Sequence, residues 1–150
     1  MGNICRSPTA HGIMQHKINQ QRLQQQVSVD SAGTHAYHVG EQSDPRSRAF
    51  AAGQGIDMDF IRARKISVND YDSFDYILAM DEDNLALIEY YAPDQHDAQI
   101  ALFLQAAHEL GVVSELAVPD PYYGGDSGFA HVFDLVNHGC DAWLAKLANV

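Results

Sequence analysis

Apolar side chains recur with helical spacing from residue 8 to about 24: Ile13, Met14 and Ile18 share one face, and a Gln-rich side lies opposite. Residues 27–31 alternate apolar and polar, the period of a strand, and that strand is predicted to end near Ala32 and Gly33. Residues 34–43 read as a loop. Asp44-Pro45 then opens a second helix, with Asp as cap and Pro in the first turn, which ends near Gly53 to Gly55. The run Tyr-Ile-Leu-Ala-Met within residues 74–80 fits a buried parallel strand. Asp81 caps a helix that carries Leu85, Leu87 and Ile88 and stops before Pro93. Residues 100–104 form another apolar run, read as a strand with a helix start as the alternative. Ser127 caps a last helix whose apolar positions Phe129, Val132, Phe133, Val136, Cys140, Trp143, Leu144 and Leu147 keep the helical period. Cys140, on that face, reads as a small buried hydrophobe.

Strands alternating with helices predict an α/β fold, a three-layer sandwich with a central parallel sheet flanked by helices. Ligands in such folds sit at the carboxyl ends of strands, against helix N-termini. At 150 residues the chain makes one domain with a sizeable core. A hydrophobic content of 46% with 19% charged residues fits a folded chain rather than a disordered one. The net charge of −11 argues against general nucleic-acid binding, which needs a basic footprint. It leaves room for a phosphate ligand, because one arginine and a ring of N–H groups can set the local field. No apolar run approaches the roughly 18 residues of a membrane helix, so no membrane partner is expected. No basic-then-apolar leader is visible. The two cysteines make no disulfide framework, so a cytoplasmic location is the expectation. The histidines show no metal-ligand spacing, and neither metal nor other cofactor is expected.

The first residues hold the densest chemistry. Gly2 admits backbone conformations that let successive N–H groups turn inward. Arg6 offers a planar fork of donors that matches two phosphate oxygens. Ser7-Pro8 starts a helix, whose N-terminus carries partial positive charge and free N–H groups. Together these residues predict an oxyanion cradle.

The stretch Gly-Asn-Ile-Cys-Arg-Ser-Pro-Thr-Ala at residues 2–10 resembles the active-site loop of the low-molecular-weight protein tyrosine phosphatases. The resemblance continues at Asp30-Ser31-Ala32-Gly33-Thr34, Ser43-Asp44-Pro45-Arg46 and Ala63-Arg64-Lys65. It extends through residues 74–81 to Asp120-Pro121-Tyr122-Tyr123-Gly124, in family order over nearly the whole chain. It implies a hydrolase acting on phosphotyrosine through a cysteinyl-phosphate. The family motif is Cys, five residues, Arg, then Ser or Thr. Counted back from Arg6, the spacers are residues 1–5 and the nucleophile falls immediately before Met1. The resemblance therefore implies one phosphatase domain over residues 1–150 that lacks its N-terminal strand and its nucleophilic cysteine, and a chain inactive as it stands.

By resemblance, Arg6 binds the phosphate and Asp120 is the general acid, with Pro119 and Pro121 restricting the backbone around it. Gly2, Asn3, Ile4, Cys5 and Ser7 form the substrate loop; Asn3 and Ser7 hold its shape. Tyr37 walls the pocket, and Tyr122 and Tyr123 line its mouth. Cys5 corresponds to a second loop cysteine that can pair with the nucleophile under oxidation. Two positions depart from the pattern. Ile61 stands where many members carry a His that supports the loop, and His11 stands where Glu is common, a neutral variation on a helix surface. The implied partner is a phosphotyrosine protein, a bacterial tyrosine autokinase being one candidate. Two alternatives stay open: an arsenate reductase on the same scaffold, which needs a disulfide relay through further cysteines, and a non-catalytic anion-binding regulatory protein.

Overall fold

The computed structural model describes residues 2–3, 5–121 and 125–148. The strand expected at 74–80 forms as β1 (Tyr76–Ala79) and pairs in parallel with β2 (Gln99–Leu102), Tyr76 opposite Gln99 and Ala79 opposite Leu102. Between them runs α4 (Glu82–Tyr91), a crossover helix that packs on both strands. Side chains of β1 divide by parity. Tyr76 and Leu78 join the larger core, while Ile77 and Ala79 join a smaller one with Leu85, Ile88, Ile100, Leu102 and Tyr71. Both faces of the strand are therefore covered, which explains its unbroken apolar run.

The larger core lies under α1 (Arg6–Gln20), α5 (Gln105–Glu109) and α6 (Asp126–Ala148). The periodic face of α6 is buried at Phe129, Val132, Val136, Cys140, Trp143 and Leu144, as its spacing predicts. Gly139 lets this helix close on the sheet, because a Cβ there would lie 2.3 Å from Cε1 of Phe103. The Trp143 indole N–H donates to the Phe103 carbonyl at 2.6 Å, and Phe103 N–H donates to the Ala79 carbonyl at 2.7 Å. One residue thus ties α6 to the end of β1. The layers are helices, parallel sheet and helix, the α/β sandwich expected.

Several boundaries shift. α1 begins at Arg6, with Cys5 at the cap position, so Ser7 lies inside the first turn rather than capping it. α6 likewise begins at Asp126, before Ser127. α2 (Pro45–Gly53) starts as expected, with Asp44 accepting from the Arg46 N–H at 2.8 Å. The short helices α3 (Asp70–Ser73) and α5 have too few residues to show a period. Residues 27–31 are extended, with Val27 and Val29 turned toward the core, yet no ladder forms along them among the described residues. Alternation set which side chains face in; it does not supply a pairing partner. The extended run ends in an isolated parallel bridge between Gly33 and Lys65. Among the described residues no helix is long and apolar enough to cross a membrane.

Candidate active site

The turn into α1 faces the carboxyl end of β1, and a cleft of about 220 Å³ opens between them. Gly2, Asn3, Cys5, Arg6 and Ser7 line it from one side and Leu78, Ala79 and Met80 from the other. Tyr37, His38 and Asp120 stand at its rim. Of the residues singled out in the sequence, the structure brings these seven together: Gly2, Asn3, Cys5, Arg6, Ser7, Tyr37 and Asp120. Ile4, Tyr122 and Tyr123 lie outside the described residues.

Arg6 is buried, and its position is fixed twice. Nη1 donates to Asp81 Oδ2 at 2.6 Å and to the Val118 carbonyl at 2.8 Å. The other oxygen of Asp81 accepts from the Asn84 N–H at 2.7 Å, capping α4. Asp81 therefore does more than the sequence suggested: one carboxylate starts a helix and orients the arginine. Burial alone would raise its pKa, but the Asn84 N–H and the Arg6 guanidinium outweigh it and hold the carboxyl below its ordinary range. Val118 also gives its N–H to the Met80 carbonyl at 2.8 Å, so the segment leading to Asp120 is pinned to the end of β1.

Asn3 takes a left-handed backbone, φ 63°, at 2% exposure. Asn tolerates that region better than most residues, though at some cost. Its side chain is held at both ends. The amide nitrogen donates to the Ser31 carbonyl at 3.3 Å, and Oδ1 accepts from the Ser7 hydroxyl at 2.7 Å. That bond is where the Ser7 hydroxyl goes instead of capping the helix. Gly2 is needed for close approach, since a Cβ there would sit 2.7 Å from Cδ2 of His38. His38 is itself held by Glu41 through Nδ1 at 2.9 Å.

Neither cysteine has the environment of a nucleophile. Cys5 is 5% exposed. Burial pushes its thiol up to about 11; the Ser47 hydroxyl opposes the rise, and Asp44 and Asp120 add to it. Cys140 is fully buried, its thiol raised further by burial, and it donates to the Ala10 carbonyl at 3.7 Å. On the rim, Tyr37 is 71% exposed and stacks on His35 with centroids 5.2 Å apart. Asp120 is exposed at the cleft edge.

The two departures from the family pattern trade places. Ile61 is buried in the larger core, and its side chain has no hydrogen-bonding atom to offer the loop. His11 is not a surface residue: its side chain is 11% exposed, and Nδ1 lies 2.9 Å from the Ser31 hydroxyl. The sequence reading missed this because residue 11 flanks the apolar stripe of α1, and the segment that covers it comes from residues 27–31.

A family model for low molecular weight phosphotyrosine protein phosphatases matches residues 1–150. The chain is 40% identical to the low molecular weight phosphotyrosine protein phosphatase of Schizosaccharomyces pombe, over 89% of this chain and 83% of that protein. It is 35% identical to a low molecular weight protein-tyrosine-phosphatase of Streptomyces coelicolor, over 97% and 88%. Its structure matches that of a protein tyrosine phosphatase from Entamoeba histolytica with a TM-score of 0.92 at 36% identity, covering 99% and 93% of the two chains. It also matches a Drosophila arginine phosphatase with a TM-score of 0.89 at 31% identity, over 97% and 92%. With the cradle, the buried arginine and the rim on one cleft, and with these relatives along its length, the chain belongs to the low molecular weight phosphotyrosine protein phosphatase family.

Proposed function

We propose that the cleft binds the phosphoryl group of a phosphotyrosine protein, a bacterial tyrosine autokinase being a candidate substrate. Arg6 clasps two of its oxygens, Asp120 acts as general acid and Tyr37 walls the ring. The observation that carries this reading is the double anchoring of Arg6 at the floor of a cleft whose rim holds a carboxyl group. An arginine fixed this way needs no reorganisation as charge gathers on the phosphoryl oxygens. In the first step a cysteine thiolate forms an S–P bond as the P–O bond to the phenol breaks, and Asp120 gives its proton to the departing oxygen. In the second, water forms a P–O bond as the S–P bond breaks, and Asp120 takes the proton from the water. Phosphate leaves and the thiolate is restored.

Neither cysteine of the chain suits the thiolate role, because both are buried and both thiols are raised. The family motif places the nucleophile at the position immediately before residue 1, and the covalent step is assigned to a cysteine at that position. The same burial weighs against an arsenate reductase, whose relay needs accessible thiols. Tyr37 at the rim favours an aromatic phosphomonoester over the phosphoarginine that the Drosophila relative's name suggests.

The 150-residue chain is expected to bind inorganic phosphate and to leave p-nitrophenyl phosphate intact. Extension by a strand ending in cysteine gives metal-independent turnover that disappears when the added cysteine is replaced by serine. Robust turnover by the unextended chain, lost on Cys5→Ser, would sink this assignment. Phosphate binding without turnover in the extended protein would favour an anion-binding regulatory role.

A further inference from the structure

Asn3 is the strained residue of the cradle, and its conformation depends on a neighbour outside the loop. Its amide is anchored on the Ser31 carbonyl, in a segment that forms no ladder among the described residues. Three contacts fix Ser31 instead. Its N–H donates to Asp30 Oδ1 at 2.8 Å, its carbonyl takes the Asn3 amide, and its hydroxyl meets His11 Nδ1 at 2.9 Å. Asp30 in turn is held by Arg64, whose other bonds run to Asp70.

His11 stands within the helix that the cradle feeds, so its bond to Ser31 closes a ring: cradle, α1, His11, Ser31 and back to Asn3. The imidazole is well placed to be rigid. Phe60 meets it edge-on at 5.3 Å. The charged groups that face it are Asp30, 4.0 Å from Nδ1, and Arg64 beyond. Burial outweighs Asp30 and, with Arg64, lowers its pKa, so the ring is neutral at physiological pH, with one nitrogen able to accept and the other to donate.

We propose that His11 is a positioning residue for phosphate binding, acting through Ser31 to hold Asn3 in the left-handed conformation that shapes the cradle. The inference rests on the phosphate-binding reading of the cleft. Ser31 is buried, so loss of the ring leaves a hydroxyl without its partner and frees the carbonyl that Asn3 depends on. The chain thus draws its loop-supporting imidazole from the helix, while the position at Ile61 has become core.

The test is titration of the 150-residue chain with inorganic phosphate, followed by amide resonances. His11→Leu keeps bulk against Phe60 and removes the hydrogen bond. It is expected to weaken phosphate binding about threefold to tenfold, the worth of one buried hydrogen bond, and to shift the Asn3 and Ser31 amides. His11→Asn, whose amide can stand where Nδ1 stood, restores most of the affinity. Ser31→Ala breaks the same bond from the other side; it gives a similar loss, and adding His11→Leu to it costs little more. Should His11→Leu fail to fold, Ser31→Ala against His11→Asn carries the comparison. Wild-type affinity in His11→Leu or Ser31→Ala, equal loss in His11→Asn and His11→Leu, or losses that simply add would each overturn the proposal. Arg6→Ala checks the underlying reading: it should abolish binding, and phosphate binding that survives it would remove the cleft assignment on which His11 depends.

Discussion

Arg6 and Asn3, on the floor of the cleft, are buried and bonded to Asp81, Val118, Ser31 and Ser7, groups that come from four separate stretches of chain. Tyr37 and Asp120, on the rim, are exposed and sit on loops, Tyr37 resting on another loop aromatic, His35. On the proposed reading the floor meets an invariant group, the phosphoryl oxygens, with side chains already held by these bonds. The rim, open to solvent, would then face what varies, the leaving group and the protein behind it. This division suits a fold shared by phosphatases named for tyrosine and for arginine: the floor can be kept while the rim changes.

The sharpest way to break the comparison is to remove the acid from the rim. In the cysteine-extended protein, Asp120→Asn is expected to lower turnover on aryl phosphates by about 10²–10⁴, most of all for poor leaving groups. Phosphate affinity should not move. A matching loss of phosphate binding would mean that Asp120 belongs to the floor.

A floor residue should behave in the opposite way. Asp81→Ala leaves Arg6, among the described residues, with the Val118 carbonyl and uncaps α4. Phosphate affinity is expected to fall about tenfold, and the fold to lose about 1–3 kcal/mol, the cost of an unmet buried partner. The acid limb also carries a sign. The Asp81 carboxyl is held below its ordinary value, so its contribution is present above the ordinary carboxylate range and is lost as pH falls through the depressed folded value. Chemical denaturation between pH 2 and 6 should therefore show a shallower acid limb in the variant, by an amount on the order of that same loss. An unchanged limb would detach Asp81 from the arginine.

The smallest effect is expected at Tyr37. Tyr37→Ala should raise KM for a phosphotyrosine peptide about threefold to tenfold, the worth of one aromatic contact, with kcat and inorganic phosphate affinity unchanged. Weakened phosphate binding would blur the boundary between floor and rim.

Much of this arrangement was legible in the sequence where a residue's role is local. Asp44 and Asp81 cap the helices they precede, and α6 buries the face its period marks, because these depend on neighbours within a few positions. That Arg6 and Asp120 belong to one cleft was legible through the motifs around them. Roles that depend on distant chain were not. The second oxygen of Asp81 meets an arginine 75 residues away, and His11 meets a serine 20 residues on. Nothing in either local pattern encodes those meetings. Residues 27–31 show the same limit from the other side: their alternation told inside from outside correctly, and pairing had to come from elsewhere.

Val118 spends both of its backbone groups before the chain reaches the acid, its N–H on Met80 and its carbonyl on Arg6. It is a pivot bolted to the floor, and Asp120 hangs from it by two residues, a radius of about 7 Å at full extension. Pro119 stiffens that arm. Whatever displaces Val118 therefore disturbs the arginine and the segment that carries the carboxyl together. On the proposed reading, phosphate binding and proton delivery share that one residue as their common fastening.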